Sequence, residues 1–286
     1  MTAADNPPPA AAAAAAADPT FRNYTPARAA AYARARGSYP AALYDVILAR
    51  HAQTGGRQGT VLDVGCGPGN MLRELAPAFE RAIGCDAGEE MVQVAEALGG
   101  TTGNGGEVVW KRAGAEELAE VLGGERAGVD LVTVAMAVNP STPNIAAVQR
   151  VFDTFERVSL APHSLPGNRL CRDFYRDLAL PWQSDNPSPE FPEALFERHT
   201  WNVDGALDGP DGDDFFGGSV MMTPAKIAEL LASTGPVQRW REAHPREAGT
   251  EMDAVSVMLR ELEGVVGVGG EVKMGMGYAL LFFKRR

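Results

Sequence analysis

A glycine-rich turn after a short apolar run carries the most distinctive chemistry of the chain. Residues 60–62 are β-branched or apolar, Asp63 follows them, and glycines occupy positions 65, 67 and 69. This order predicts a buried strand, a tight turn and then a helix from Met71. Glycine lacks the Cβ atom that would keep a ligand away from the backbone, and an acid at the strand end favours a ligand with an ammonium or a sulfonium over a phosphate.

A second acid stands at the end of the next predicted strand. Residues 81–86 form a short run that ends in Asp86, 23 residues after Asp63. An acid at this offset is how nucleoside-binding α/β domains hold two ribose hydroxyls. The two acids together therefore predict a nucleoside cofactor that carries a positive charge.

Details of the turn separate this prediction from a nicotinamide dinucleotide site. The glycines follow the pattern GxGxG with Asn70 in the sixth place, whereas a dinucleotide fold uses GxGxxG. Pro68 has no N–H group to offer a pyrophosphate, and no Tyr-x-x-x-Lys pair occurs. An NAD-dependent reductase is accordingly the less favoured alternative.

Strands and helices alternate around these acids, which predicts a doubly wound, mostly parallel α/β sheet of the Rossmann-like type. The predicted strands are 60–64, 81–86, 108–112 and 129–135, with a closing strand at 271–284. A fifth strand is expected after Met136, but residues 161–171 are poor strand material and residues 174–211 are irregular.

The outer segments complete the expected organisation. Residues 19–52 combine tyrosines and arginines on two predicted helices, which suits a lid over a small-molecule site, with amphipathic packing onto the sheet as the alternative. The expected divisions are a disordered tail (1–18), a helical lid (19–52), the cofactor-binding core (53–142), a diverged segment with an irregular acceptor-cap insertion (143–222), and C-terminal helices with the closing strand (223–286).

Composition excludes several other classes. The 286 residues carry a net charge of −11, which disfavours nucleic-acid binding because phosphate contacts need clustered Lys and Arg. Three cysteines and four scattered histidines support neither a disulfide framework nor a metal site. No long apolar run and no signal-peptide pattern is present, so a cytoplasmic protein without a membrane span is expected. The sequence does not indicate an oligomeric state.

Several motifs together resemble one enzyme family. Residues 61–70, 86–91, 115–118 and 129–132 are similar to the motifs of class I S-adenosylmethionine-dependent methyltransferases. Residues 21–24, 32–40 and 238–245 further resemble the trans-aconitate methyltransferase-like group common in fungi. The resemblance implies S-adenosyl-L-methionine as the cofactor and a small carboxylic acid as the methyl acceptor.

The resemblance also implies roles for individual residues. Asp63, Gly65, Cys66 and Gly67 would surround the methionine end of the cofactor, and Asp86 would bind the ribose. The remaining cofactor contacts would lie along the adenine and at the methyl-donor end: Met91, Ala115, Glu116 and Ala135. For Met91, packing of its own helix is the alternative interpretation.

The acceptor side of the site is predicted from aromatic, basic and amide side chains. The candidate residues are Tyr24, Tyr32, Arg36, Tyr39, Asn139 and Trp240. Core packing is the alternative for Trp240. A carboxylate acceptor is ionised at neutral pH and needs no general base, so no catalytic residue is assigned.

One departure from the family leaves a further alternative. Relatives carry a Leu-x-Pro-Gly-Gly turn followed by a clear fifth strand, whereas here only residues 165–168 are similar to that turn. A protein that binds the cofactor but has lost its acceptor site is therefore the second alternative.

Overall fold

The computed structural model describes residues 24–35, 37–122, 129–133, 139–140, 145–184, 187–203, 207 and 214–286. Its helices are α1 (Pro26–Ala35), α2 (Ala41–Gln53), α3 (Asn70–Leu75), α4 (Glu89–Leu98), α5 (Leu118–Val121), α6 (Ile145–Thr154), α7 (Pro166–Arg172), α8 (Pro224–Ala232), α9 (Gly235–Ala243) and α10 (Ala254–Val266). Its strands are β1 (Thr60–Val64), β2 (Arg81–Asp86), β3 (Val109–Arg112), β4 (Leu131–Thr133), β5 (Asn139–Pro140), β6 (Phe196–Trp201), β7 (Ser219–Met222), β8 (Val272–Gly275) and β9 (Tyr278–Phe283). The predicted tail at 1–18 lies outside the described residues.

A parallel sheet of four strands forms the centre of the fold. The strand order is β3-β2-β1-β4, and β1 pairs in parallel with both β2 and β4. Val61 and Leu62 of β1 are buried, as a strand covered on both faces requires. The predicted doubly wound α/β sheet is therefore confirmed, and it brings the ends of β1, β2 and β4 to one edge.

Capping residues define where several helices begin. The hydroxyl of Thr25 accepts a hydrogen bond of 3.3 Å from the Arg28 N–H at the start of α1. Thr223 makes the same contact, also 3.3 Å, with the Lys226 N–H of α8. In both helices proline occupies the first helical position, where its missing N–H costs nothing.

The C-terminal strands differ from the prediction. The single closing strand expected at 271–284 is two strands: β8 pairs antiparallel with β7 and β5, and β9 pairs antiparallel with β6. Gly275 ends β8 beneath the ring of Phe215, which a Cβ atom at position 275 would approach to 2.0 Å. The chain there is so crowded by Phe215 that only glycine fits at the break.

The segment that looked irregular in sequence also contains defined structure. Strand β6 falls within residues 174–211, where no strand was predicted, and its partner β9 supplies its pairing. Residues 161–171 form a 3₁₀ turn (Ala161–His163) and most of α7, so this segment does not supply the expected fifth strand.

The N-terminal helices pack against different parts of the core. Tyr24 and Ala29, at the start of the chain's described part, are buried against Met91 of α4. Leu43, Tyr44 and Ile47 of α2 join the cluster that covers β1 and α3. This packing holds the segment between α1 and α2 next to the glycine turn.

Candidate functional site

A cavity of about 350 Å³ lies where the glycine turn leaves β1. Three parts of the chain form its wall. The glycine-turn side consists of Asp63, Gly65, Cys66, Gly67, Pro68, Asn70 and Met71. The N-terminal side consists of Tyr32, Arg34, Gly37, Ser38 and Tyr39. The C-terminal side consists of Val220, Met222, Lys226, Glu229, Leu230, Met276 and Tyr278.

Two glycines of the turn form a cradle that faces this cavity. Gly65 and Gly67 have φ angles of 69° and 52°, in the left-handed region that other residues rarely adopt. A Cβ atom built on either residue would have no heavy atom within 4 Å. The open space that these missing side chains leave is suited to a ligand lying against the backbone.

The third glycine has a packing role instead. Gly69 has a φ of 83°, and a Cβ atom there would come within 2.3 Å of the indole of Trp110. Trp110, on β3, therefore supports the turn from the side opposite the cavity.

The carboxylate of Asp86 holds the turn in place from β2. It accepts one hydrogen bond from the Gly67 N–H at 2.9 Å and another from the Gly88 N–H at 2.8 Å. The side chain is buried, with 8% of its surface exposed. Asp86 thus links the ends of β1 and β2, and it does not line the cavity wall described above.

Asp63 forms the acidic end of the cavity. Only 3% of its surface is exposed, and its carboxylate accepts a hydrogen bond of 2.8 Å from the Thr133 hydroxyl. The pKa of Asp63 is raised to about 7: burial raises it most, the hydrogen bond from Thr133 lowers it, and the charge of Asp86 raises it by a smaller amount. A cationic group placed beside Asp63 would restore its ionised form.

The cysteines near the turn are neutral thiols. Burial raises the pKa of Cys66, and that of Cys85 to about 11. Because only a thiolate is a competent nucleophile, Cys66 contributes shape to the cavity and no covalent chemistry at neutral pH.

The tyrosines predicted for the acceptor side divide into two groups. Tyr32 and Tyr39 line the cavity. Tyr24 does not: its hydroxyl donates to the Ser233 carbonyl at 3.3 Å, and its ring meets Tyr32 edge-on at 6.1 Å. Tyr24 therefore supports Tyr32 from behind.

Trp240 is placed in the core, as its alternative interpretation predicted. It is 8% exposed, belongs to the cluster between α6, α9 and α10, and stacks on His244 with 4.4 Å between ring centroids. It does not reach the cavity wall, so a contact with the acceptor has no support.

The remaining predicted residues lie away from the cavity or outside the described part. Met91 is 1% exposed and packs against Tyr24, and Ala115 is exposed in a short 3₁₀ turn (Ala115–Glu117). For Glu116 and Asn139 only the backbone is described, that of Asn139 pairing with Gly275. Arg36 and Ala135 lie outside the described residues.

The C-terminal side of the cavity was not anticipated from the sequence. Val220 and Met222 alternate on β7, which is the spacing of one strand face, but residues 219–222 are too short a run to be recognised as a strand. Lys226 and Leu230 follow on α8. Strand β7 is held in place by pairing with β8, a contact between distant parts of the chain that local sequence does not reveal.

The described residues contain neither a candidate metal site nor a candidate membrane-spanning helix. Within them, no group of three His, Cys, Asp or Glu side chains has an arrangement that could hold a metal ion. None of the described helices has both the length and the apolar character needed to cross a bilayer.

The fold and a match to a family model point to one class of protein. The central parallel sheet with flanking helices matches the fold of Rossmann-like methyltransferases. Residues 61–158 match a family model described as a methyltransferase domain. These findings support a class I S-adenosylmethionine-dependent methyltransferase, with S-adenosylmethionine as its cofactor.

Individual relatives agree with this class. Methyltransferase cfoB of Aspergillus candidus is 36% identical over 80 residues, which are 28% of this chain and 25% of that protein; the chain thus matches about a quarter of that relative's length. A solved type II methyltransferase from Anaeromyxobacter dehalogenans is similar over 87% of this chain and 97% of its own, at 17% identity and a TM-score of 0.55. At that identity the likeness concerns the fold alone.

A further solved structure is more distant. It is a methyltransferase of Thiobacillus denitrificans in complex with S-adenosyl-L-homocysteine, 14% identical, covering 93% of this chain and 94% of its own, with a TM-score of 0.25.

Proposed function

We propose that this chain transfers a methyl group from S-adenosyl-L-methionine to a small-molecule acceptor, and that the accepting group is the carboxylate of a small organic acid. The observation that carries the proposal is the cradle of Gly65 and Gly67 with Asp63 at its base, inside the segment that matches a methyltransferase domain. The trans-aconitate methyltransferase-like group is the subfamily that we propose.

The residues of the cradle have separate tasks in holding the cofactor. Asp63 would lie beside the ammonium group of the methionine portion, whose charge favours the ionised carboxylate. Asp86 would accept hydrogen bonds from the ribose hydroxyls while it continues to hold Gly67. S-adenosylmethionine supplies a methyl group already activated on a sulfonium, so the protein's main task is alignment and exclusion of water.

The polar lining favours an acceptor that needs no deprotonation. The described residues of the cavity wall include no histidine, the buried Asp63 accepts a hydrogen bond from Thr133, and Glu229 is paired with Lys226. A carboxylate is ionised at neutral pH. Its oxygen forms a bond with the methyl carbon as the carbon–sulfur bond breaks, the electron pair stays on sulfur, and no proton moves.

The N-terminal segment would orient the acceptor and close the site. Tyr32 and Tyr39 can donate phenolic hydrogen bonds to a carboxylate. We propose that residues 19–52 form a lid and that residues 143–222 contribute the acceptor cap.

Calorimetry and product analysis test the proposal. The folded protein is titrated with S-adenosylhomocysteine and with NAD, and then incubated with S-adenosylmethionine and a panel of small carboxylic acids that includes trans-aconitate. We expect the protein to bind S-adenosylhomocysteine and not NAD. We also expect mass spectrometry to detect a methyl ester of one of the acids. Binding without turnover of any acid would favour the cofactor-binding relic, and absence of binding by folded protein would refute the methyltransferase function.

A further inference from the structure

The C-terminal side of the cavity carries an apolar wall. The wall consists of Val220 and Met222 on β7, Leu230 on α8 and Met276 between β8 and β9. Met221 alternates with them and points to the opposite face of β7; Val220 and Met221 are 60% and 56% exposed. Four apolar side chains thus converge on one side of the cavity.

The N-terminal side supplies a cation. Arg34 lines the cavity, and none of the ion pairs within the described ranges involves it. It lies three residues before Gly37, whose carbonyl accepts a hydrogen bond from Asn70 beside the glycine turn. Arg34 therefore lies on the N-terminal side of the cavity, close in sequence to the segment that is hydrogen-bonded to the glycine turn.

The second cation of the cavity is already paired. Lys226 lies 3.4 Å from Glu229 on the same helix, and both side chains are 67% exposed. Such an exposed pair contributes little to stability, but it leaves Arg34 as the cation without an acidic partner among the described lining residues.

We propose that the acceptor is an amphipathic monocarboxylic acid, with its carboxylate at Arg34 and its apolar body along the apolar wall. This inference rests on the proposed methyltransferase function and narrows its substrate. An acid with two further carboxylates would place them beside Val220, Met222 and Met276, where Lys226 is already paired with Glu229, and their desolvation would oppose binding. The apolar wall therefore disfavours a tricarboxylic acid as the methyl acceptor.

The test uses the complete chain saturated with S-adenosylhomocysteine and titrated with butanoate, hexanoate, octanoate and trans-aconitate. Affinity is expected to rise about fourfold for each added methylene, the ratio that about 0.8 kcal/mol per buried CH₂ gives. Octanoate is expected to bind at least tenfold more tightly than trans-aconitate. Equal affinity along the series, or tighter binding of trans-aconitate, would overturn the inference.

Substitutions locate the two ends of the acid. Met222→Ala is expected to weaken octanoate binding about tenfold and butanoate binding little, whereas Met221→Ala, on the other face of the strand, leaves both unchanged. Arg34→Gln is expected to weaken every acid about tenfold and to leave S-adenosylhomocysteine affinity unchanged. If Arg34→Gln instead loses affinity for S-adenosylhomocysteine, this arginine binds the carboxylate of the cofactor itself, and the inference is overturned.

The two proposals fail in distinguishable ways. If folded wild-type protein, verified by circular dichroism, does not bind S-adenosylhomocysteine, the methyltransferase function fails. If it binds S-adenosylhomocysteine but none of the monocarboxylates, only the acceptor inference fails.

Discussion

The side-chain amide of Asn70 donates a hydrogen bond of 3.2 Å to the backbone carbonyl of Gly37. The backbone carbonyl of Asn70 accepts another, of 3.4 Å, from the Ser38 hydroxyl. Arg73 binds the other end of the amide, at 2.9 Å, and the Pro68 carbonyl at 2.6 Å. The first residue of α3 therefore connects the glycine turn to the segment between α1 and α2, and so connects the proposed cofactor site to the proposed lid.

Substitution of Asn70 by aspartate is expected to loosen the lid. Asn70→Asp removes the donor to Gly37 and keeps the acceptor for Arg73, and aspartate is tolerated in the first turn of a helix. Loss of a single hydrogen bond of about 1 kcal/mol predicts a several-fold rise in acceptor KM and faster proteolytic cleavage within residues 24–40. Gln93→Ala, at an exposed amide on α4, serves as the control. An unchanged cleavage rate would show that the contact does not hold the segment.

The raised pKa of Asp63 predicts that cofactor affinity depends on pH. A cationic ligand binds beside the ionised carboxylate, so affinity should rise as pH increases through about 7 and level off above it. Below that value the expected slope is about tenfold per pH unit, with one proton released on binding. Calorimetry with S-adenosylhomocysteine between pH 5.5 and 8, in buffers of different ionisation enthalpy, measures both quantities.

A substitution at Thr133 tests whether Asp63 is the group that titrates. The Thr133 hydroxyl stabilises the ionised form of Asp63, so Thr133→Val should raise the pKa of Asp63 and move the binding midpoint to higher pH. A midpoint that stays in place, or moves lower, would argue against Asp63 as the titrating group.

Ionisation of Asp63 is expected to lower the stability of the ligand-free protein while it supports cofactor binding. Because burial raises its pKa in the folded state, Asp63 favours folding below about pH 4, and this contribution is lost as pH rises through about 7. Asp63→Asn should therefore raise the thermal unfolding temperature of the ligand-free protein at pH 8, with a smaller effect at pH 5. The variant should also bind S-adenosylhomocysteine far more weakly. A variant that is destabilised at pH 8 would contradict the assignment.

Asp86 is expected to act on both the turn and the cofactor. Asp86→Ala leaves the Gly67 and Gly88 N–H groups without their partner, which costs about 1–3 kcal/mol of unfolding free energy. Asp86→Asn keeps one acceptor oxygen and should recover part of that stability, while both variants lose affinity for S-adenosylhomocysteine. Unchanged affinity in Asp86→Asn would count against the ribose contact.

The part of the fold around the glycine turn can be predicted from local sequence, whereas the C-terminal part depends on contacts between residues far apart in the chain. The acids at the ends of β1 and β2 and the glycines between them lie within 24 residues, so the strand-turn-helix pattern predicts their positions correctly. Strand β8 ends at Gly275, where the ring of Phe215 leaves no room for a Cβ atom, and no local pattern encodes this contact. Trp240 was likewise ambiguous, because an aromatic residue on an amphipathic helix fits a core and a pocket equally well.

The two glycines at positions 67 and 69 should respond differently to substitution. A side chain at Gly67 would enter the open cavity, with nothing within 4 Å of its Cβ atom, and the left-handed backbone costs about 1–2 kcal/mol. Gly67→Val should therefore fold, with a lowered unfolding temperature, and fail to bind S-adenosylhomocysteine. A side chain at Gly69 would collide with Trp110 at 2.3 Å, so Gly69→Val should lose considerably more stability. Normal cofactor binding by folded Gly67→Val would place the cofactor elsewhere, and equal stability of the two variants would contradict the separation of the cavity face from the packing face of the turn.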